Sequence, residues 1–326
     1  MKAAVYDRYG PADVLRVEEV AQPPIGDKDI LVQIVTTTVT TADWRMRAAA
    51  FPGILAIPGR LIAGLLRPRH RVLGGEFAGR VVSAGPKVTR FRPGDAVFGF
   101  AMRGAHAEYV AVAEDGAVAA KPESLSFDEA AAVPFGGLSA LVFLRDFARV
   151  KPGQKVLVAG ASGGVGVWAV QLARHLGAAV TAVASTTNIA LVRELGAETV
   201  VDYTKEDFTA SGETYDLIID TAGTTDFATA RRALAPGGIF LPLEFGGREM
   251  LQALWTRIAG GPKVVIGVSG DSPGDLEMLA GLLASGTVRP VIDSRFPLAA
   301  IADAHRRVEG RHKRGSVVVR VAGDGD

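Results

Sequence analysis

The sequence predicts an α/β protein that combines a compact β domain with a doubly wound parallel sheet, and three observations support this. From Val150 onward, short β-branched runs alternate with longer amphipathic runs, as in a parallel sheet covered by helices on both faces. A glycine-rich turn follows the first of these runs. The first 120 residues contain instead short alternating runs separated by Gly/Pro turns, which favour a β-barrel or sandwich.

The β domain contains six predicted strands, at residues 1–7, 15–20, 29–39, 78–85, 96–100 and 106–112. The C-terminal segment returns to strand character, with a strand at Arg289 to Phe296, a helix at Leu298 to Glu309 and the final run SVVVRV. The pattern alone assigns this segment to neither domain.

The predicted parallel strands include several that are almost wholly apolar, as expected of strands buried on both faces. They are Lys155 to Ala159, Ala179 to Ala184, Thr199 to Asp202, Tyr215 to Asp220, Gly238 to Leu243 and Lys263 to Val268. An apolar stripe at helical spacing predicts a helix from Gly164 to Leu176, which Gly177 ends. Further helices are predicted at Asn188 to Leu195 and Phe227 to Leu234.

Composition excludes several classes of function. The 326 residues suffice for about two domains, and 36 basic against 35 acidic residues give a net charge of +1, with no field to attract nucleic acid. Zero cysteines exclude disulfides, thiolate nucleophiles and zinc sites with thiolate ligands. The most apolar window, Phe51 to Leu66, is shorter than the roughly 20 residues that span a bilayer, so we expect no stable membrane insertion. The polar N-terminus lacks the apolar core of a secretory signal, and we expect a cytoplasmic protein.

The glycine-rich turn carries the main chemical signal. It comprises Gly160, Ala161, Ser162, Gly163, Gly164, Val165 and Gly166, between an apolar strand and a helix. This is the context of a dinucleotide-binding turn, where the backbone approaches a pyrophosphate and free N–H groups at the helix N-terminus hold the anion.

The residues at the end of the second parallel strand indicate whether NAD or NADP is the preferred cofactor. An acidic residue there binds the ribose of NAD, but this chain has Ser185, Thr186, Thr187 and Asn188. We therefore expect NADP, with Tyr203 and Lys205 as the nearest later candidates for the 2′-phosphate. The same hydroxyl run is also typical of a helix cap, and both roles can hold together.

Several segments in order resemble the medium-chain dehydrogenase/reductase superfamily, and within it the zinc-independent quinone oxidoreductase branch. They are the glycine turn, VPFGGLSAL at 133–141, DYTKEDF at 202–208, DTAG at 220–223 and APGG at 235–238. The resemblance implies a GroES-like β-barrel domain from residues 1–120 and 290–326. It also implies a Rossmann dinucleotide-binding domain at 121–289, with the active site in the cleft between the two domains.

Zinc-dependent members of this superfamily carry Gly-His-Glu, and this chain reads Gly74-Gly75-Glu76. Their Cys-x-x-Asp ligand stretch corresponds here to Thr40 through Asp43, and their four-cysteine lobe is absent. We therefore expect no zinc. Glu76 and Asp43 are interpreted equally well as structural hydrogen-bonding groups.

The resemblance also implies site residues outside the turn. On the substrate side it implies Thr40, Asp43 and Trp44, with Thr40 as a donor to a carbonyl oxygen; a core anchor is the alternative for Trp44. On the cofactor side it implies Ser139, Thr221, Ala222, Phe245, Gly246 and Ser269. A capping or buried hydroxyl is the alternative for Ser139.

A site without an evident acid/base pair suits direct hydride transfer from the nicotinamide to a quinone or an α,β-unsaturated carbonyl, both small apolar substrates. The alternatives are an alcohol or aldehyde oxidoreductase and an NADPH-binding interaction module with little turnover. The apolar run KVVIGV at the expected sheet edge predicts a homodimer, although a loop covering that edge fits equally.

One stretch has a strongly asymmetric charge. Six arginines and no acidic residue lie between Trp44 and Gly74, interleaved with FPGILAIPGRLIAGLL: Arg45, Arg47, Arg60, Arg67, Arg69 and Arg71. The functional interpretations are a flap over the substrate cleft or a patch that touches lipid. The other interpretation is a solvated basic loop with a buried aliphatic stem.

Overall fold

The computed structural model describes residues 1–51, 56–270 and 272–321. Its strands are β1 (Lys2–Val5), β2 (Arg16–Glu19), β3 (Asp29–Val39), β4 (Glu76–Ala84), β5 (Ala96–Phe100), β6 (Tyr109–Ala113), β7 (Val118–Ala120), β8 (Lys155–Ala159), β9 (Ala179–Ala184), β10 (Thr199–Asp202), β11 (Tyr215–Asp220), β12 (Leu234–Pro242), β13 (Lys263–Val264), β14 (Ile292–Pro297) and β15 (Ser316–Arg320). Its α-helices are α1 (Thr41–Ala48), α2 (Ala56–Ala63), α3 (Phe127–Ala131), α4 (Pro134–Val142), α5 (Gly166–His175), α6 (Ile189–Glu194), α7 (Phe227–Ala230), α8 (Gly247–Ala259), α9 (Pro273–Ala284) and α10 (Ile301–Glu309).

The described residues divide into two compact units. Unit 1 contains residues 1–51, 56–138 and 272–321, and unit 2 contains residues 139–270. Residues 121–138 and 272–289, which we expected in the dinucleotide-binding domain, therefore cluster with unit 1. The physical reason is packing, since α3 lies against β3 and β4 and α9 lies against β7.

Unit 1 is built on a seven-stranded sheet in the order β14-β15-β3-β4-β5-β7, with β6 also paired to β3. The long strand β3 pairs antiparallel with β4, β6 and β15, and its buried side chains Ile30, Val32 and Ile34 form a core with Phe77. Gly79 on β4 permits this close pairing, because a Cβ there would lie 2.0 Å from the backbone oxygen of Gln33. The sheet is the GroES-like domain implied by the sequence.

The C-terminal segment belongs to unit 1. Strand β15 pairs antiparallel with β3, with Val317 opposite Val39, and β14 pairs parallel with β15. Helix α10 buries Ile301, Ala304 and Val308 in a core shared with Leu298. Backbone pairing thus assigns the C-terminal segment to unit 1, whereas the hydrophobic pattern assigned it to neither domain.

Unit 2 is a six-stranded parallel sheet in the order β10-β9-β8-β11-β12-β13. This is the strand order of a Rossmann fold, in which the order reverses between the first and fourth strands, here β8 and β11. Strands β8 to β11 have the predicted bounds. Strand β12 begins earlier, at Leu234, and β13 is two residues long rather than the predicted six.

The apolar window from 51 to 66 contains helix α2, and its residues 52–55 lie outside the described residues. Across the described part of the chain, no helix is long and apolar enough to cross a membrane.

Candidate functional site

The glycine turn of unit 2 connects β8 to α5 as the sequence predicts. Gly160 has a φ of +72°, a backbone conformation that favours glycine, and a Cβ there would meet the Ala222 Cβ at 2.6 Å. A Cβ at Gly166 would lie 2.1 Å from the backbone oxygen of Gly160. Gly160 is therefore required by its backbone conformation and the nearby Ala222 side chain, and Gly166 by close approach of the backbone.

The N-terminus of α5 is available to a ligand. Val165 precedes the helix and its side chain does not cap it, while the N–H groups of Val167 and Trp168 already donate to Gly163 O and Val165 O, each at 3.1 Å. The positive end of the helix dipole is directed toward the turn, where it attracts a pyrophosphate. Ala161 is fully buried, and its N–H donates to Val183 O at 3.2 Å, which fixes the turn against the second strand. The turn therefore has the geometry that the motif predicts.

Three predicted residues from two loops meet beside this turn. Asn188 Nδ2 donates to Ser162 Oγ at 3.0 Å and to Ser185 Oγ at 3.2 Å. Asn188 Oδ1 is buried and has no hydrogen-bond partner among the residues that the structure describes. An unsatisfied buried acceptor costs free energy, and a ribose hydroxyl is the donor that a dinucleotide would supply there.

Asp202 contributes to this site in a way that the sequence motifs do not indicate. Strand β10 pairs in parallel with β9 and places Asp202 opposite Ala184, at the end of the strand that Ser185 follows. Its carboxylate accepts from the hydroxyls of Thr186 and Thr204, and these bonds, that of Thr186 foremost, hold the pKa of Asp202 well below its usual range. The hydroxyl proton of Thr186 is thus already donated to Asp202.

The same pairing supplies a cation. Lys205 Nζ lies 3.3 Å from Asp202 Oδ2, while its side chain stays largely exposed. Tyr203 is also exposed, and its N–H donates to Ala184 O at 3.2 Å. The run from Ser185 to Asn188 contains no Lys or Arg. The loop after the neighbouring strand β10 places the Lys205 ammonium group close to that run.

Thr221 and Ala222 lie where the strand order reverses. Thr221 Oγ1 donates to Ala159 O at 2.8 Å and to Gly160 O at 3.1 Å, which joins the ends of β8 and β11. Asp220 is fully buried, and burial raises its pKa although it accepts from the N–H groups of Ala222, Gly223 and Thr225. This carboxylate shapes the loop after β11.

Among the described residues, the remaining predicted cofactor residues make no hydrogen bond to this cluster. Gly246 precedes α8, and its N–H donates to Glu249 Oε2 at 2.7 Å. Phe245 and Ser269 are half-buried after β12 and β13. Ser139 is buried on α4. Their proposed approach to the cofactor therefore still depends on family resemblance.

In unit 1, Thr40 and Asp43 form a capping box at the start of α1. Thr40 Oγ1 donates to Asp43 Oδ2 at 2.6 Å, and Asp43 N donates back to Thr40 Oγ1 at 3.2 Å. Asp43 Oδ1 accepts from Gly74 N at 3.0 Å. The hydroxyl proton of Thr40 is thus directed at Asp43, and the pair ties α1 to the Gly74-Gly75-Glu76 segment.

Trp44 is half-buried against the core that α10 completes. The guanidinium carbons of Arg45 and Arg311 lie 5.9 and 5.8 Å from the centre of its ring. Its indole Nε1 is buried and has no hydrogen-bond partner within the described ranges. The packing agrees with a core anchor.

Glu76 is buried and accepts from Phe135 N at 2.6 Å and from the hydroxyl of Thr38. Burial raises its pKa to about 7, an effect that nearby Lys313 opposes. Burial likewise lowers the pKa of Lys313 to about 8. Phe135 is in the first turn of α4, so Glu76 caps the helix that leads to Ser139.

Unit 1 contains a second set of buried polar side chains, which comprises two histidines and an arginine. His106 and His305 are fully buried with their ring centres 5.5 Å apart, and His106 Nε2 is 2.9 Å from Thr38 O. Arg47 is fully buried and pairs with Glu309 at 2.7 Å. His106 is therefore a core residue.

The position of the missing zinc ligand is filled. A Cβ at Gly75 would lie 2.5 Å from Phe100 Cε2, so the phenyl ring occupies the space that an imidazole needs. Among the described residues, no three His, Asp or Glu side chains are grouped to hold a metal ion.

Comparisons with known proteins agree with this architecture. Residues 26–123 match the alcohol dehydrogenase GroES-like domain family, and residues 195–319 match a family described as zinc-binding dehydrogenase. The chain is 32% identical to a chloroplastic quinone-oxidoreductase homolog of Spinacia oleracea over 98% of both chains. It is also 32% identical to a chloroplastic NADPH-dependent alkenal/one oxidoreductase of Arabidopsis thaliana, over 98% of this chain and 79% of the relative. The solved quinone oxidoreductase of Coxiella burnetii superposes with a TM-score of 0.87 at 29% identity, over 99% of each chain.

Proposed function

The chain belongs to the medium-chain dehydrogenase/reductase superfamily, in its quinone oxidoreductase-like branch, and from this premise we propose that it reduces quinones or α,β-unsaturated carbonyl compounds with NADPH. The observation that carries the proposal is the pair of substitutions at the zinc-ligand positions. Thr40 and Gly75 stand where the resemblance puts cysteine and histidine, and Phe100 fills the space beside Gly75. A substrate whose own conjugated system accepts a hydride needs no metal to polarise it.

Unit 2 is proposed to bind NADPH. The residues present fit the cofactor, because the turn from Gly160 to Gly166 leads to the N-terminus of a helix that Val165 does not cap with its side chain, and Asn188 Oδ1 has no donor among the described residues. Ser185, Tyr203 and Lys205 are proposed to bind the 2′-phosphate. When bound, NADPH supplies the hydride.

On the substrate side we propose Thr40, Asp43 and Trp44, and Trp44 anchors this segment in the core. Thr40 and Asp43 hold α1 against Gly74 and so fix the shape of this loop. Donation by Thr40 to a substrate oxygen requires its hydroxyl to rotate away from Asp43. Thr40→Ser retains a hydroxyl that can donate in this way, whereas Thr40→Val removes it. Phe245, Gly246, Ser139 and Ser269 are proposed to position the nicotinamide.

An absorbance assay tests the activity. Purified protein is mixed with NADPH and, in separate reactions, a quinone, an enone and an aldehyde. We expect nicotinamide oxidation with the quinone or the enone and much slower oxidation with the aldehyde. Turnover of the aldehyde alone would support the alcohol/aldehyde alternative, and tight NADPH binding without any turnover would support a binding module.

Cofactor choice has its own test in Ser185→Asp. A carboxylate at the end of β9 binds the ribose hydroxyls of NADH and repels the 2′-phosphate. We expect the ratio of kcat/KM for NADPH to that for NADH to fall about 100-fold, an order-of-magnitude expectation for one added charge beside a phosphate. Ser211→Asp adds the same charge on an exposed loop of unit 2 and serves as the control.

We also propose a homodimer and a cytoplasmic location. Strand β13 is the edge of the parallel sheet, and Val268, shortly after it, is 79% exposed. A sheet edge beside an exposed apolar side chain favours pairing with a second copy. Light scattering of the purified protein measures the oligomeric state, and Val268→Arg is expected to weaken a dimer.

A further inference from the structure

Helix α2 and the turn after it present large apolar side chains to solvent. The exposed fractions are 71% for Ile57, 54% for Leu61, 70% for Ile62, 64% for Leu65 and 89% for Leu66. We call these five residues, with Arg67 and Arg69, the α2 patch. The expectation of a buried aliphatic stem is wrong here, because the aliphatic side chains point outward.

The inward side of α2 explains this orientation. It consists of small residues, since Gly59 packs on the ring of Phe51 and Ala63 is buried. Tyr9 OH donates to Gly64 O at 2.6 Å and fixes the end of the helix. The helix is therefore anchored by small residues and backbone, and its large side chains take no part in the core.

The charges beside the patch are of one sign. Arg67 and Arg69 are exposed, and the described residues contain no acidic partner for either. Arg71, in contrast, pairs with Asp7 at 2.6 Å and with Glu18 at 2.9 Å. The free positive charge of this segment therefore lies directly after the two most protruding leucines.

We propose that the α2 patch docks on an anionic lipid surface. Two neighbouring leucines on a chain reversal insert into disordered acyl chains without a complementary pocket, whereas a protein partner would have to supply one. The unpaired arginines complement anionic headgroups, and the combination of apolar side chains with flanking cations is that of an interfacial anchor. The docking is peripheral, because α2 has only eight residues.

Vesicle cosedimentation of the full-length protein tests the proposal. The probes are vesicles of phosphatidylcholine alone and of phosphatidylcholine mixed with phosphatidylglycerol, at low and high salt. We expect binding to the anionic vesicles that high salt weakens. The double variant Arg67→Gln/Arg69→Gln should bind roughly 30-fold more weakly, since each arginine near an anionic surface contributes roughly fivefold.

The matched apolar variants are Leu65→Ser/Leu66→Ser and, on helix α8, Leu251→Ser/Leu254→Ser. Leu251 and Leu254 are comparably exposed, at 71% and 60%, but lie in unit 2. We expect the α2 variant to lose vesicle binding with unchanged thermal stability and the α8 variant to bind as the original protein does.

Four results would each overturn the proposal. They are equal binding to neutral and anionic vesicles, undiminished binding by both α2 variants, a change of oligomeric state caused by Leu65→Ser/Leu66→Ser, and a raised KM for apolar enones in that variant with unchanged vesicle binding. The third result would identify a second copy of the chain as the occupant, and the fourth would identify a substrate flap.

Discussion

Gly166 shows how strongly a single residue constrains the cofactor turn. Gly166 is the first residue of helix α5 and lies against the backbone of the turn that follows β8. A methyl group there would overlap the Gly160 carbonyl oxygen and lie 2.8 Å from the Ala161 Cα. Since both contacts are with backbone atoms, no side-chain rotation can relieve them.

We therefore predict that Gly166→Ala weakens NADPH binding at least about tenfold and costs about 1–3 kcal/mol of stability, the usual range for overpacking. Gly274→Ala is the matched control, because a Cβ at that helical position meets nothing within 4 Å. Fluorescence titration and chemical denaturation measure the two quantities. Equal behaviour of both variants would contradict the close approach seen at the turn.

Glu76 leads to a prediction about pH. Its pKa in the folded protein is raised from 4.5 to about 7 by burial, so folding favours the protonated carboxyl. This contribution to stability is complete below pH 4.5 and is lost as pH rises through 7. A shift of this size corresponds to about 3 kcal/mol, as an order of magnitude.

Glu76→Gln should remove that dependence while retaining an acceptor for Phe135 N. The difference in unfolding free energy between the variant and the original protein is therefore expected to change by about 2.5 kcal/mol in favour of the variant between pH 5 and 8. Denaturant titrations at several pH values measure it, with Glu123→Gln at an exposed position as control. A difference that is constant with pH would show that Glu76 stays ionised throughout.

At the scale of elements, Asp128 fixes the C-terminal strands to helix α3. It accepts from Arg295 Nε at 2.7 Å, Arg320 Nη2 at 2.7 Å and Thr36 Oγ1 at 3.0 Å. Burial alone would raise the pKa of Asp128, yet the hydrogen bonds from the two arginines and the threonine hold it below its usual value. One carboxylate thus joins α3, β3, β14 and β15.

We predict that Asp128→Asn destabilises the protein by about 1–3 kcal/mol, which is less than for a fully buried ion pair because both arginines remain half-exposed. Asp146→Asn removes an exposed pair with Arg145 and is expected to change stability little. Thermal and chemical unfolding compare the two. If Asp146→Asn proved the more damaging, the anchoring role of Asp128 would be refuted.

At the scale of the whole molecule, the substitutions at Thr40 and Gly75 predict an activity that is indifferent to metal. Dialysis against a zinc chelator is expected to leave NADPH-dependent enone or quinone reduction within about twofold, because no metal polarises the substrate. Added zinc should not produce alcohol oxidation. A loss of activity on chelation that added zinc restores would contradict this prediction and show that the enzyme depends on zinc.

The sequence by itself determined the elements and motifs whose signals are local. The apolar runs of β8 to β11 and the glycine turn were predictable because strand burial and tight backbone approach restrict residue type along a short stretch. The positions of Thr40 and Gly75 likewise required only an ordered set of motifs. Helix α2, by contrast, exposes the side chains that an apolar stretch normally buries. The local sequence pattern does not indicate which face of this helix packs against the rest of the protein.

Only the tertiary structure decided how distant residues combine. It paired β15 with β3, brought Asp202 and Lys205 beside Thr186 through the pairing of β10 with β9, and directed the Thr40 hydroxyl at Asp43. It also buried His106 against His305, which are far apart in the sequence. The physical reason is that strand order and helix packing bring these residues together, and neither is encoded in the spacing of the residues they join.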